Sequence, residues 1–198
     1  MLLYIHGYQG EPGIKGDLAQ RVFGNIYGEA CKPQLHNVDA FSDLRQLNAL
    51  LPPEGEAGDS PHLVIGNSLG GFYAWHLCSQ RQDCICFLLN PALLPFVTLR
   101  KIPEVSAALE QQLYLKFTET YPNAYRSRIF ATYCLDDELI PHAEITEPLL
   151  KPLPGVKGFE PVLFPVPYGG HGWEDLAELE KIFVKVKGIL EPVVQIAP

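Results

Sequence analysis

The stretch Leu63-Val64-Ile65-Gly66-Asn67-Ser68-Leu69-Gly70-Gly71-Phe72-Tyr73 is an apolar run that breaks into glycines around one serine and then turns helical. It reads as a strand, a sharp turn and a helix. Gly66 to Gly70 matches the G-x-S-x-G nucleophile elbow, in which a serine at the strand end takes a strained backbone conformation and lifts its hydroxyl above the sheet. Side chains at 66 and 70 would collide where strand and helix pass close together, and Gly71 relieves the same crowding. The turn leaves the Leu69 N–H at a helix N-terminus, where partial positive charge favours a developing oxyanion. Ser68 is therefore the candidate nucleophile. Glycine-rich strand-to-helix turns also bind phosphates, but neither G-x-G-x-x-G nor G-x-x-x-x-G-K-[ST] occurs at this turn.

Working outward, 198 residues suit one domain, and 47% hydrophobic content indicates a globular protein with a sizeable core. The net charge of −8 comes without a run of Lys or Arg, so nucleic acid or an anionic membrane would bind against repulsion, and neither is expected as a partner. No apolar stretch is long enough to span a bilayer, and Met1 to His6 lacks the basic start and small-residue cleavage site of a signal peptide. Cys78, Cys84, Cys86 and Cys134 lie in apolar surroundings, with Cys31 more exposed, which fits reduced thiols in a cytoplasm. Cys84 and Cys86 face one side of a strand. The six histidines show no ligand grouping, so no metal and no cofactor are expected.

Leu2 to Ile5 reads as a strand emptying into the glycine-rich loop His6 to Gly13, and a loop at a strand's carboxyl end is where open α/β sheets place ligands. Ile14, Leu18, Val22 and Ile26 make an amphipathic helix ending near Gly28; Gln34 to Asp39 reads as a second strand. Ser42 is the expected N-cap of a helix carrying Leu44, Leu47 and Leu51 and stopped by Pro52-Pro53. A polar linker, 54 to 60, leads to the strand before the elbow, and the helix after it runs from Leu69 to about Gln82, with Phe72, Leu77 and one of Trp75 or His76 inward. Ile85 to Leu89, Ile129 to Cys134 and Pro161 to Val166 are further strands, and Leu176, Leu179, Phe183 and Val186 mark a closing helix. Between the fourth and fifth strands, Val105, Leu109, Leu113 and Phe117 recur at helical spacing and read as a small lid. Six strands alternating with helices predict an α/β fold with a parallel, doubly wound sheet.

A serine hydroxyl needs a base within hydrogen-bond reach and a carboxylate to orient that base. Asp136-Asp137-Glu138 follows one strand and Gly169-Gly170-His171 follows the last, giving the chain order Ser68, Asp137, His171. At this point the chain resembles the α/β-hydrolase superfamily, and within it the small bacterial esterases of the YqiA type. The likeness runs through Leu3 to Tyr8, Pro12, Lys15, Gly66 to Gly71, Asn90-Pro91-Ala92, Asp137-Glu138, Gly169 to His171 and Glu174-Asp175. It implies a three-layer, minimal six-stranded parallel sheet of order 2-1-3-4-5-6 with helices on both faces, one domain over 1–198 with a lid at about 93–127, and a triad of nucleophile Ser68, base His171 and acid Asp137. Tyr8 then supplies the second oxyanion N–H beside Leu69. The family usually has glycine before its aspartate, where Asp136 stands here; Asp137 is preferred because Asp137 to Pro141 fits the D-x-x-[VI]-P spacing frequent in the superfamily. His142 lies too close to the acid to replace His171, and His6 serves loop structure. Leu93, Leu94, Phe96, Leu109 and Phe117 are expected to line a shallow apolar cleft over Ser68. The expected function is hydrolysis of a small acyl ester or thioester; the alternatives are a binding protein on the same fold or an acyltransferase with the same triad.

Overall fold

A parallel strand covered on both faces can be apolar at every position, and two of the strands here, Leu2–Ile5 and Cys84–Leu89, are. In the computed structural model, which describes residues 1–54, 61–123, 127–151 and 160–195, strands β1 (Leu2–Ile5), β3 (His62–Asn67), β4 (Cys84–Leu89) and β5 (Arg128–Cys134) are buried along almost their whole length. Two shorter edge strands, β2 (Ala30–Cys31) and β6 (Val162–Val166), complete a six-stranded sheet of order β2-β1-β3-β4-β5-β6, and every pairing is parallel.

Alternate residues feed two cores. Leu3, Ile5, Val64, Cys86, Leu88, Ile129 and Ala131 point to one face, under α2 (Ala40–Leu50), α3 (Leu69–Ser79) and α5 (Ala107–Thr120). Leu2, Tyr4, Leu63, Ile65, Ile85, Phe87 and Phe130 point to the other, under α1 (Gly13–Tyr27) and α7 (Leu176–Gln195), where Phe23, Phe87 and Phe183 pack ring against ring. Two short helices, α4 (Pro95–Thr98) and α6 (Thr146–Leu150), complete the set among the described residues. This is the α/β-hydrolase arrangement in its minimal form. Because β1 leads to β2 on one side while β3 lies on its other side, the chain reverses direction across the sheet between β1 and β3, and a crevice opens there at the strands' carboxyl ends.

Several local expectations are corrected. Gln34 to Asp39 is not a strand: β2 is the two residues Ala30–Cys31, and the later segment is loop, with Leu35 N–H donating to His6 Nε2 at 3.0 Å. The cap of α2 is Asp39 rather than Ser42; Asp39 Oδ1 accepts the Ser42 N–H at 2.9 Å, which starts the helix at Ala40. Helix α3 stops at Ser79, short of Gln82, and is buried on all sides, so Trp75 and His76 both face inward. In α1 the buried stripe is Leu18, Ala19, Val22, Phe23 and Tyr27, while Ile14 is 63% exposed. Residues 55–60 of the predicted linker lie outside the described residues.

Candidate active site

The elbow is held by close backbone contacts that only glycine permits. A Cβ on Gly66 would overlap the Gly70 carbonyl, and one on Gly70 would overlap the carbonyls of Ile5 and His6, so α3 passes directly over the ends of β3 and β1. Ser68 sits between strand and helix at φ 54°, ψ −119°, a region that residues with a side chain rarely occupy. Three bonds maintain it: Ser68 N–H donates to Leu89 O, and the Gly71 and Ala92 N–H groups donate to Ser68 O.

The Ser68 hydroxyl lies 3.0 Å from His171 Nε2, and His171 Nδ1 lies 2.8 Å from Asp137 Oδ2. Ser68 and Asp137 are buried and His171 is partly open to solvent. Three residues that arise at the ends of β3 and β5 and after β6 thus form one continuous hydrogen-bonded line. Burial alone would raise the Asp137 carboxyl. The hydrogen bonds from His142 and His171, the charge of His171 and the Ile140 N–H outweigh it and hold the group well below the usual carboxylate range.

The adjacent acids do not compete for the imidazole. Asp136 accepts the Gly170 N–H at 2.9 Å and the Gly169 N–H at 3.3 Å, Asp137 takes the ring, and Glu138 Oε2 accepts the His171 N–H at 3.1 Å. All three consecutive carboxylates fasten the same histidine loop. Asn90 fastens it from the other side. Fully buried at φ 40°, it accepts the Cys134 N–H on Oδ1 and donates from Nδ2 to the carbonyls of Gly170 and His171.

Sequence reasoning weighed His142 only as a replacement for His171 and missed its bond to the acid. Its Nε2 lies 3.0 Å from the same Asp137 Oδ2 that meets His171, and its Nδ1 lies 2.7 Å from Thr146 Oγ1. An ionised carboxylate can only accept, so Nε2 carries the hydrogen. Leu139 and Ile140 N–H both donate to Oδ1 at 2.9 Å, which gives Asp137 four donors in all. The available signal was the i, i+5 spacing of Asp137 and His142 across the turn at Pro141, which lets the ring fold back on the acid.

On the opposite side, His6 Nδ1 bonds Gly7 O at 2.8 Å, and the Asn37 side chain donates to the same carbonyl. His6 has the loop role expected of it, and it fixes the turn that presents Tyr8. Among the described residues, no protein acceptor takes the backbone N–H of Tyr8 or of Leu69.

A cleft of about 440 Å³ opens beside Ser68 and His171, but its walls are not those expected. Leu93 and Leu109 are fully buried in the core, Phe96 and Phe117 pack against each other and against Tyr114, Tyr121 and Trp75, and none of them lines the cleft, nor does Leu94. The apolar stripe of α5 is consumed by packing on α3 and α4. The cleft instead runs between the loop after β1 with the first turn of α1 (Tyr8, Ile14, Lys15) and the wall formed by Leu99, Ile102, Leu139 and Ile140.

Residues 1–126 match the family model described as Uncharacterised protein family (UPF0227). The chain belongs to this family. The UPF0227 match takes in Tyr8, Lys15, Ser68 and Asn90 and ends before Asp137 and His171. No curated protein matches the chain. Among solved structures it is similar to Est1E from Butyrivibrio proteoclasticus, 15% identical at a TM-score of 0.69, with 97% of this chain and 87% of that chain covered. It is also similar to mouse alpha/beta hydrolase domain-containing protein 10, 12% identical at a TM-score of 0.68, covering 97% and 90%. A third is the monoacylglycerol lipase of Paleococcus ferrophilus, 14% identical at a TM-score of 0.62, covering 94% and 93%. Likeness at these identities is likeness of fold.

Proposed function

We propose that this chain is a serine hydrolase that cleaves small acyl esters or thioesters through an acyl-enzyme. The observation that carries the reading is the 3.0 Å and 2.8 Å line from Ser68 through His171 to an ionised Asp137, at the mouth of an apolar cleft. His171 Nε2 takes the Ser68 proton as Oγ adds to the substrate carbonyl; Asp137 holds the ring in the tautomer that leaves Nε2 free and stabilises the imidazolium. The oxyanion meets the backbone N–H groups of Tyr8 and Leu69, which exist before substrate arrives and need no reorganisation. As the tetrahedral species collapses, His171 returns the proton to the departing alcohol or thiol, leaving the acyl group on Ser68. Water, deprotonated by the same nitrogen, then releases the acid and restores the serine.

The fold and the family membership are compatible with this chemistry, since the solved structures similar in fold include proteins titled esterase and lipase. The direct test is a fluorophosphonate probe: the adduct should map by mass spectrometry to the peptide holding Ser68, and Ser68→Ala should abolish both labelling and p-nitrophenyl ester hydrolysis. A folded wild-type protein that neither labels nor turns over would point to a binding role for the cleft.

A further inference from the structure

The cleft holds one feature that a site for neutral esters does not require. Lys15, in the first turn of α1, lines it together with Asn67, Ser68 and His171, and the side chain is half-buried. Its one hydrogen-bond partner among the described residues is neutral, Asn67 Oδ1 at 3.1 Å, on the residue directly before the nucleophile. Among the described residues it forms no ion pair. Burial pushes the Lys15 ammonium down from its ordinary value, against a pull from Asp137. That carboxylate is already engaged by two histidines and two backbone N–H groups. A partly desolvated cation with only an amide oxygen as protein partner is costly unless something completes its shell.

The rest of the lining limits what that can be. Apart from Lys15, Asn67 and the catalytic residues, its polar side chains are Thr98, the tyrosines Tyr4 and Tyr8, and the exposed Lys101 and Glu11; the remainder is apolar or glycine. With Glu11 offsetting Lys101, Lys15 is the one cation of the lining left without a compensating lining carboxylate, and a single cation suits a single carboxylate better than a dianionic phosphate. Because Lys15 reaches the residue next to Ser68, that carboxylate must sit a short distance from the scissile carbonyl.

We propose that the substrate is an apolar ester or thioester carrying one carboxylate near its scissile bond, and that Lys15 selects it by pairing with that group. This rests on the serine-hydrolase reading above. A charge-assisted hydrogen bond in a partly dehydrated site favours the charged substrate by about tenfold or more over a neutral one of equal size.

The test compares matched pairs: monomethyl with dimethyl succinate, glutarate and adipate for a carboxylate on the acyl side, and 4-carboxyphenyl with 4-carbamoylphenyl butyrate for one on the leaving group. The wild type should prefer the anion in kcat/KM by about tenfold or more in at least one pair, and the preference should shrink at high salt. Lys15→Met should bring that ratio close to one, and Lys15→Arg should keep part of it. A purely structural lysine would instead lower both members of each pair together and leave the ratio intact, which overturns the proposal, as does a wild type that favours the neutral member throughout. Failure of the underlying reading looks different, since neither member would then show Ser68-dependent turnover. In that event, titration of Ser68→Ala protein with monomethyl and dimethyl glutarate, followed by NMR, decides the matter: tighter binding of the monoanion, lost in Ser68→Ala/Lys15→Met, supports Lys15 as the anion contact, and equal binding refutes it.

Discussion

At the scale of single residues, the clearest feature is the division of labour among Asp136, Asp137 and Glu138. A sequence offers no means of distinguishing adjacent carboxylates beyond motif spacing, and that spacing pointed to Asp137, the one whose Oδ2 meets the imidazole. Legible with it were Ser68 and His171, because a strained turn and a glycine-flanked loop leave marks in the sequence. Asn90 and His142 were not, because each acts by bonding to groups distant in sequence or hidden behind a turn. Asp137→Asn should lower kcat by about 10⁴-fold through loss of the correct tautomer. Asp136→Asn should stay within about tenfold of wild type, since an amide oxygen still accepts one of the two loop N–H groups. Steady-state kinetics on a p-nitrophenyl ester separates the two, and the reverse ranking would reassign the acid. His142 adds a subtler effect. Its N–H holds the Asp137 oxygen that faces His171, and His142→Phe removes that donor. Steady-state kcat should then fall by about tenfold as the acid is held less firmly, and His142→Gln, whose amide N–H can reach the same oxygen, should restore part of it.

At the scale of elements, the strands other than β2 were read to within a residue or two, whereas the cap of α2 lies three residues before the expected one and α3 ends three residues short of Gln82; the largest error fell where periodicity is short. Strand β2 is two residues long at the sheet edge, too brief to leave a pattern, whereas Gln34 to Asp39 alternates weakly because Leu35 turns inward while its N–H serves His6. The packing of α3 on α5 yields a prediction of its own. His76 Nδ1 lies 2.7 Å from Thr120 Oγ1, and that hydroxyl donates to Lys116 O, so the ring supplies the hydrogen to threonine. Burial, and next the nearby Lys116 charge, push His76 down to about 4. A histidine depressed in the fold binds fewer protons there than in the unfolded chain. Its contribution to stability is therefore complete above about pH 6.5 and is lost as pH falls from there toward 4, amounting to about 3 kcal/mol over the window. Asp137 is lost to protonation only below that range, so the two effects separate. Urea denaturation between pH 7 and 4.5 should show this decline in the wild type and a smaller one in His76→Gln, where His62, also held below its ordinary value by burial, still contributes.

At the scale of the whole molecule, six strands alternating with helices implied the parallel sheet and the family resemblance implied its order, while the walls of the cleft followed from neither. A helical stripe of apolar residues marks a face that must be covered but does not say by what. Here Leu109 and Leu113 are covered by the core itself, and Phe117 by Trp75 and Phe96, which leaves the cleft to the loop after β1 and the segment around Leu99 to Ile102. The consequence for substrates survives the change of walls. At about 440 Å³ the space lies toward the lower end of ligand pockets, which span roughly 300–1,000 Å³. Tyr8, Ile14, Leu99, Ile102, Leu139 and Ile140 can dehydrate a short chain, each buried methylene gaining roughly 0.8 kcal/mol, or about fourfold in binding. Beyond the far wall further methylenes return to water and gain nothing. Across p-nitrophenyl esters, kcat/KM should therefore climb from acetyl to about butyryl or hexanoyl and then fall, with no jump in rate when the ester is presented as an emulsion. Activity that kept rising to long acyl chains would mean that the Leu99 to Ile102 wall moves aside to open a far deeper chamber.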